Sequence, residues 1–165
     1  MNSENLIAWS ANWAWGLPLI ILTVIFHAYC LGLLNAKITA RLTESARLGR
    51  PLFAPSFLIG ATALLLTLLH GVEGAIWASA YRLLGASTDN KSAMLYSLNA
   101  LTSYGHEGLH LAPHWRMMGA LEALNGWILF GLTTAFLFAV VQSVWQRTQV
   151  NPLISRVTRG SAHVR

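Results

Sequence analysis

Charged residues are scarce in this sequence. Lys, Arg, Asp and Glu together make up 10% of its 165 residues, whereas a soluble domain carries about 25%. The deficit accompanies long apolar runs and a hydrophobic content of 55%, a composition typical of a membrane protein. The single cysteine, Cys30, excludes an intrachain disulfide.

The sequence also lacks the features of two other classes. No basic segment precedes the first apolar run, where Glu4 lies instead, so the N-terminus is not a typical signal peptide. The formal net charge is +5, but the cations cluster beside apolar runs and no nucleic-acid-binding motif accompanies them. We therefore expect membrane lipid as a partner and no nucleic acid.

Three apolar runs are long enough to cross a bilayer, which requires about 20 residues. They cover about residues 15–36, 56–84 and 115–146. Residues 1–14 are mildly amphipathic and predict an interfacial N-terminal segment. The basic loop at 37–50 and the basic tail at 147–165 are expected in the cytoplasm, which places the N-terminus outside.

Ionisable residues within these runs are costly in lipid and are candidate functional groups. His27 is expected to hydrogen-bond a neighbouring helix, with a proton relay or metal ligand as the alternative. His70 and Glu73 are one helical turn apart and share a face. They are expected to form either a structural pair or a proton or metal site. Glu122 is expected to anchor the short helix described next.

Residues 91–108 (KSAMLYSLNALTSYGHEG) lie between the second and third runs. A helical pattern at about 92–101 is too short to span a bilayer, and Ser87, Thr88 and Asp89 are candidate caps for its start. The stretch is apolar enough to fold back into the membrane, where irregular backbone must be buried in protein or border water. The prediction is a re-entrant pore helix with an ion-lining loop. Because one chain supplies one loop, the pore requires a symmetric oligomer.

At these residues the sequence resembles the two-transmembrane potassium-channel superfamily of bacterial pores. That family carries an aromatic–Ser pair in the pore helix, a TTVGYGD filter, and an inner helix with a Trp, a Glu and a hinge Gly. The matching positions in this chain are Tyr96 and Ser97, the gap-free segment 102–108, Trp115, Glu122 and Gly126.

The resemblance implies a homotetramer in a bacterial inner membrane, with 51–146 as the pore module and 15–50 as an extra span with its basic loop. It implies passive cation conduction, potassium as the permeant ion and no organic cofactor. The implied filter residues are Thr102, Ser103, Tyr104, Gly105, His106 and Glu107. The implied pore-supporting residues are Tyr96, Ser97, His70, Glu73 and Glu122. The candidate hinge or gate residues are Gly126, Phe130, Thr133 and Thr134.

The filter segment keeps the two hydroxyl residues and the first glycine of the family pattern, but it departs from that pattern at three of the positions after Ser103. Tyr104 replaces a small aliphatic residue, His106 replaces the Tyr, and Glu107 replaces the second Gly. A one-residue shift instead matches Tyr104 and Gly105 to the family's Tyr–Gly pair. Glycine accepts the left-handed conformations that inward-pointing carbonyl groups need. Glu107 occupies one of these glycine positions and does not adopt such a conformation cheaply. A ring of Glu107 carboxylates is an alternative cation site.

Residues 106–110 (HEGLH) also satisfy the motif H-E-x-x-H. On a helix this motif places two histidines on one face to bind zinc, with the Glu as general base. It predicts, as an alternative to the channel, an intramembrane metalloprotease with His106 and His110 as ligands. Flanking glycines and Pro113 disfavour the required helix. A non-conducting, channel-like membrane subunit is the third interpretation.

Overall fold

The computed structural model describes residues 3–47, 55–105 and 108–162. Within these ranges all regular structure is helical: α1 (Ser3–Arg47), α2 (Pro55–Leu83), α3 (Asn90–Leu101), a 3₁₀ turn (Pro113–Trp115) and α4 (Arg116–Ala162). Helices α1, α2 and α4 each contain a segment long and apolar enough to cross a membrane. The predicted all-α fold with three candidate spans is confirmed, and the short helix predicted between the second and third spans is present as α3.

Helices α1 and α4 are much longer than a bilayer requires. They contain 45 and 47 residues, which at 1.5 Å per residue is about 70 Å, against about 30 Å for the hydrocarbon core. Helix α1 continues through positions 15 and 36, the predicted ends of the first span. It also includes residues 37–47 of the predicted basic loop, because that segment contains neither Gly nor Pro to stop it.

Capping interactions delimit α3 at both ends. The Asp89 carboxylate accepts the backbone N–H of Ser92 at 2.9 Å, which is an N-cap contact. At the other end, the N–H groups of Ser103 and Tyr104 donate to carbonyl groups of the last turn, both at 3.0 Å. With Ser103 in the left-handed region at φ 53°, this is a Schellman motif. The chain therefore leaves α3 in a fixed direction.

Two apolar cores hold the helices together. One lies around Trp77 and Met118 and joins α2, α3 and the start of α4. The other joins the distant parts of α1 and α4 through residues that include Leu42 and Val144. Many large apolar side chains on the outside of α1, α2 and α4 are exposed in the single chain, as membrane-facing or subunit-facing surfaces require.

Helix α3 approaches its neighbours closely because glycines face it. Gly74 in α2 faces α3, and Gly126 in α4 lies against the backbone of Leu101, where a Cβ would overlap the carbonyl oxygen. Gly74 precedes the last residue of α2, Leu83, by nine positions, and Gly126 follows the first residue of α4, Arg116, by ten. The end of α3 therefore meets both helices about 15 Å from their nearer ends.

Candidate functional site

The predicted filter loop begins where α3 ends. Its described residues are exposed in the single chain: Thr102, Ser103, Tyr104 and Gly105. The other two predicted filter residues, His106 and Glu107, lie outside the described residues. The left-handed φ of Ser103 belongs to the helix cap, whereas Gly105, at φ 106°, occupies a conformation that glycine favours. The Trp127 indole N–H donates to the Ser103 hydroxyl at 3.1 Å, which fixes the loop to α4.

A groove of about 480 Å³ lies beside the loop and is lined by residues of α2, α3 and α4. Its polar lining comprises Thr67, His70, Thr102 and Ser103. Its aromatic lining comprises Trp127 and Phe130, the second of which is a predicted gate residue. Thr134, another predicted gate residue, is exposed on α4, and its hydroxyl donates to the Phe130 carbonyl at 2.8 Å. The groove therefore combines hydroxyl groups, an imidazole and aromatic rings on one open surface.

A buried network around Glu122 lies behind α3. The Tyr81 hydroxyl donates to the Glu122 carboxylate at 2.5 Å. The Ser97 hydroxyl contacts the other carboxylate oxygen and lies 2.7 Å from the Gly74 carbonyl oxygen. The Tyr96 ring packs edge-on against Tyr81. The structure thus brings together Tyr96, Ser97 and Glu122, three of the predicted pore-supporting residues, at the contact of α2, α3 and α4.

A second buried cluster, which we call the His–Glu cluster, comprises His27, His70, Glu73 and Thr133. The Nδ1 atoms of His27 and His70 lie 2.7 and 3.1 Å from the two oxygens of the Glu73 carboxylate. Their Nε2 atoms lie 3.1 and 3.0 Å from the Thr133 hydroxyl oxygen. His27 and Glu73 are fully buried, whereas the His70 side chain is 30% exposed. The four side chains therefore connect α1, α2 and α4 in one ring of contacts.

The spacing of His70 and Glu73 predicts that they share a face, but it does not associate His27 or Thr133 with them. His27 was expected to contact a neighbouring helix, and its partner is Glu73 of α2. Thr133 was assigned to a hinge or gate, and it contacts both imidazoles. Polar residues in apolar spans pair with one another, so their joint presence in three spans was the signal for this cluster.

Two further buried polar side chains of α1 and α4 join these helices, and no pattern in the sequence predicts their partners. The Asn12 side chain donates to the His114 carbonyl at 2.6 Å and accepts the Met118 N–H at 3.0 Å. Further along, the Asn125 amide donates to the Thr23 hydroxyl at 2.9 Å. The first predicted span is therefore joined to the last by specific hydrogen bonds in addition to apolar contacts.

The described part of the HEGLH segment is not helical. Gly108 has a left-handed φ of 70°, and residues 109–112 have no regular structure. His110 is exposed, while His106 and Glu107 lie outside the described residues. In residues 108–112, the helix on which the zinc-binding geometry of this motif depends is absent.

Comparisons with known proteins supply no assignment for these sites. No protein-family model matches the chain. No curated protein and no solved structure matches it either. Function is therefore inferred from the geometry of the loop, the groove and the two buried clusters.

Proposed function

We propose that the chain is one subunit of an oligomeric cation channel, similar to potassium channels, in a bacterial inner membrane. In this proposal α3 is a re-entrant pore helix, and residues 102–107 border a central pore. The observation that carries the proposal is the position of the exposed loop relative to the ends of the candidate spans.

The loop emerges about 15 Å from the nearer ends of α2 and α4. The last turn of α3 meets Gly126, ten positions into α4, and about 15 Å is half the thickness of a hydrocarbon core. Residues 102–105 follow directly and are exposed in the single chain. Non-helical backbone exposed to lipid at this depth would leave polar groups without partners, and it is tolerated only inside protein or beside water. Symmetric copies that enclose the loop around a water-filled axis satisfy this requirement.

The surroundings of the loop favour a cation. The C-terminal end of a helix carries a partial negative charge of about half an elementary charge, and the C-terminus of α3 leads directly into the loop. The buried contacts of Ser97 with Glu122 and the Gly74 carbonyl hold α3 in place, so this end does not need to reorganise when an ion arrives. Hydroxyl and carbonyl oxygens of residues 102–105 are available as ligands. The permeant ion implied by the family resemblance is potassium.

Ion flux from proteoliposomes tests the proposal. Purified protein is reconstituted and assayed under potassium, sodium and calcium gradients, beside Gly105→Ala and Gly131→Ala. A Cβ at either glycine meets no atom within 4 Å, but only Gly105 has a left-handed φ. We therefore expect flux in the unmodified chain and in Gly131→Ala, and reduced flux in Gly105→Ala because the loop backbone is strained. Equal flux in all three proteins would show that the loop does not border the conduction path.

The oligomeric state is a separate test, made by native mass spectrometry in several detergents and in lipid nanodiscs. The proposal requires a rotationally symmetric oligomer, and the family resemblance implies four subunits. A monomer in every medium would end the channel proposal. A symmetric oligomer without flux of any of the three cations would instead support a non-conducting, channel-like subunit.

A further inference from the structure

We infer that the His–Glu cluster is a binding site for a divalent transition-metal ion of the zinc type, with His27, His70 and Glu73 as ligands. Among the described residues, this is the one group of three side chains whose possible ligand atoms all lie within 4.8 Å of one another. The inference does not depend on the channel proposal, because zinc binding by this cluster does not require the loop to border a pore.

The donor set selects the class of ion. Imidazole nitrogens suit zinc, copper, nickel and iron, whereas magnesium and calcium prefer oxygen ligands. Two histidines and one glutamate form a known three-ligand set for zinc, which leaves a fourth position for water. Two ligands of a tetrahedral zinc ion lie about 3.4 Å apart at bond lengths of about 2.1 Å. The pairs at 2.7 and 3.1 Å, which involve different oxygens of the carboxylate, are closer than this, and the three ligand atoms all lie within 4.8 Å of one another. The side chains must therefore move apart to surround the ion, but they already lie near one another.

One buried carboxylate oxygen of Glu73 lacks a hydrogen-bond partner among the described residues. The carboxylate is completely buried, and the oxygen without a partner is Oε2. Nδ1 of His70 is 3.1 Å away but does not have hydrogen-bond geometry. A buried carboxylate oxygen without a partner is costly. Coordination of a cation between Glu73 and the two imidazoles removes this cost.

Thr133 explains which ring nitrogens would bind the metal. A neutral imidazole carries one N–H, and a hydroxyl oxygen has two acceptor lone pairs. If both Nδ1 atoms bind the ion, both Nε2–H groups can donate to the Thr133 oxygen, which lies 3.0 and 3.1 Å from them. Thr133 is therefore a positioning residue that would fix the tautomer of both histidines.

The surroundings provide a route for the ion. The cluster lies between the two apolar cores. His27 and Glu73 are fully buried there, but the His70 side chain is 30% exposed. His70 is part of the lining of the groove beside the predicted filter loop, together with Thr67 and Thr102. An ion in this groove would meet His70 first and then reach the carboxylate behind it.

Zinc binding by tag-free, chelator-treated protein in detergent tests the inference, with metal content measured after equilibrium dialysis and magnesium as the control ion. We expect about one zinc per unmodified chain and no competition by magnesium. Loss of an outer hydrogen-bond partner weakens metal affinity about 10–100-fold, so Thr133→Val should show that loss. The matched control is Thr134→Val, since Thr134 is exposed and bonds only its own helix. Equal affinities in the two valine variants would overturn the role of Thr133.

Removal of a ligand locates the ion. His70→Gln should abolish stoichiometric zinc binding, whereas His110→Gln, at an exposed site, should not. X-ray absorption of the zinc-loaded unmodified chain should show two imidazole ligands. This measurement uses no substituted protein, so it does not depend on whether a variant folds. Absence of zinc binding by the unmodified chain would overturn the inference. Binding that survives His70→Gln and is lost in His110→Gln would overturn it too, and would assign the ion to the HEGLH segment.

Discussion

Replacement of Gly126 by alanine tests the contact that fixes the end of α3. The added Cβ would lie 2.8 Å from the carbonyl carbon of Leu101, 2.9 Å from its Cα and closer still to its oxygen. These are backbone atoms, so no side chain can rotate away and α3 must separate from α4. Overpacking costs about 1–3 kcal/mol, and we expect the upper end here. Alanine recovers about 1 kcal/mol of helix propensity, which leaves a net loss of about 2 kcal/mol.

Gly131→Ala is the matched control in the same helix. Its Cβ would meet no atom within 4 Å, so only the gain in helix propensity remains, up to about 1 kcal/mol. One kcal/mol shifts the melting temperature of a chain of this size by about 2–4 °C. In detergent, with tryptophan fluorescence as the signal, Gly126→Ala should therefore melt about 4–8 °C below the unmodified protein, and Gly131→Ala at or above it. Equal melting temperatures for the two variants would refute the packing argument. If Gly126→Ala altered ion flux without changing the melting temperature, a hinge at Gly126 would be favoured instead.

Two further predictions concern the ends and the middle of α3. Ser97→Ala removes the buried hydroxyl contact to Glu122 and should destabilise the protein by about 1–3 kcal/mol. Ser143→Ala, which removes an exposed hydroxyl bonded within its own helix, should have almost no effect. Similar melting temperatures for the two variants would contradict this prediction. The backbone N–H of Ser92 donates to the Asp89 carboxylate and holds the pKa of that carboxyl below its ordinary value. The ionised cap therefore stabilises the fold fully above the ordinary aspartate pKa of about 3.9. This stabilisation is lost as the pH falls through the lowered pKa. Melting temperatures between pH 3 and 7 should show this decline relative to Asp89→Asn, which keeps a good N-cap without the titration; parallel curves would count against it.

The three candidate spans and α3 could be predicted because each depends on a local property of the sequence. A long apolar run needs no partner to be recognised. The start of α3 was predicted to within two residues from Ser87, Thr88 and Asp89 as candidate caps, of which the structure uses Asp89, and its end follows from the change to turn residues after Leu101. The helical state of residues 37–47 was not predicted, because their charge indicated a position outside the membrane and was interpreted as a loop. Charge determines which solvent a segment occupies, but it does not prevent a helix.

The sequence shows polar residues in three apolar spans, but it does not show that His27, Glu73 and Thr133 meet in one ring of contacts. That ring depends on how three helices rotate about their axes, and an amphipathic pattern normally supplies that rotation. Here the spans are apolar on nearly all sides, so the pattern does not show which face points inward. The same reason explains why Asn12 and its contacts at the start of α4 were not anticipated.

The attachment of α1 to α4 restricts how the protein can move. Asn12 holds the first turn of α4, Thr23 bonds Asn125 nine positions after its start, and Leu42 packs with Val144 near its middle. The part of α4 up to Val144 therefore cannot swing on its own and must carry α1 through the surrounding lipid. In a pore that opens by displacement of α4, the viscosity and thickness of the bilayer would enter the opening rate directly.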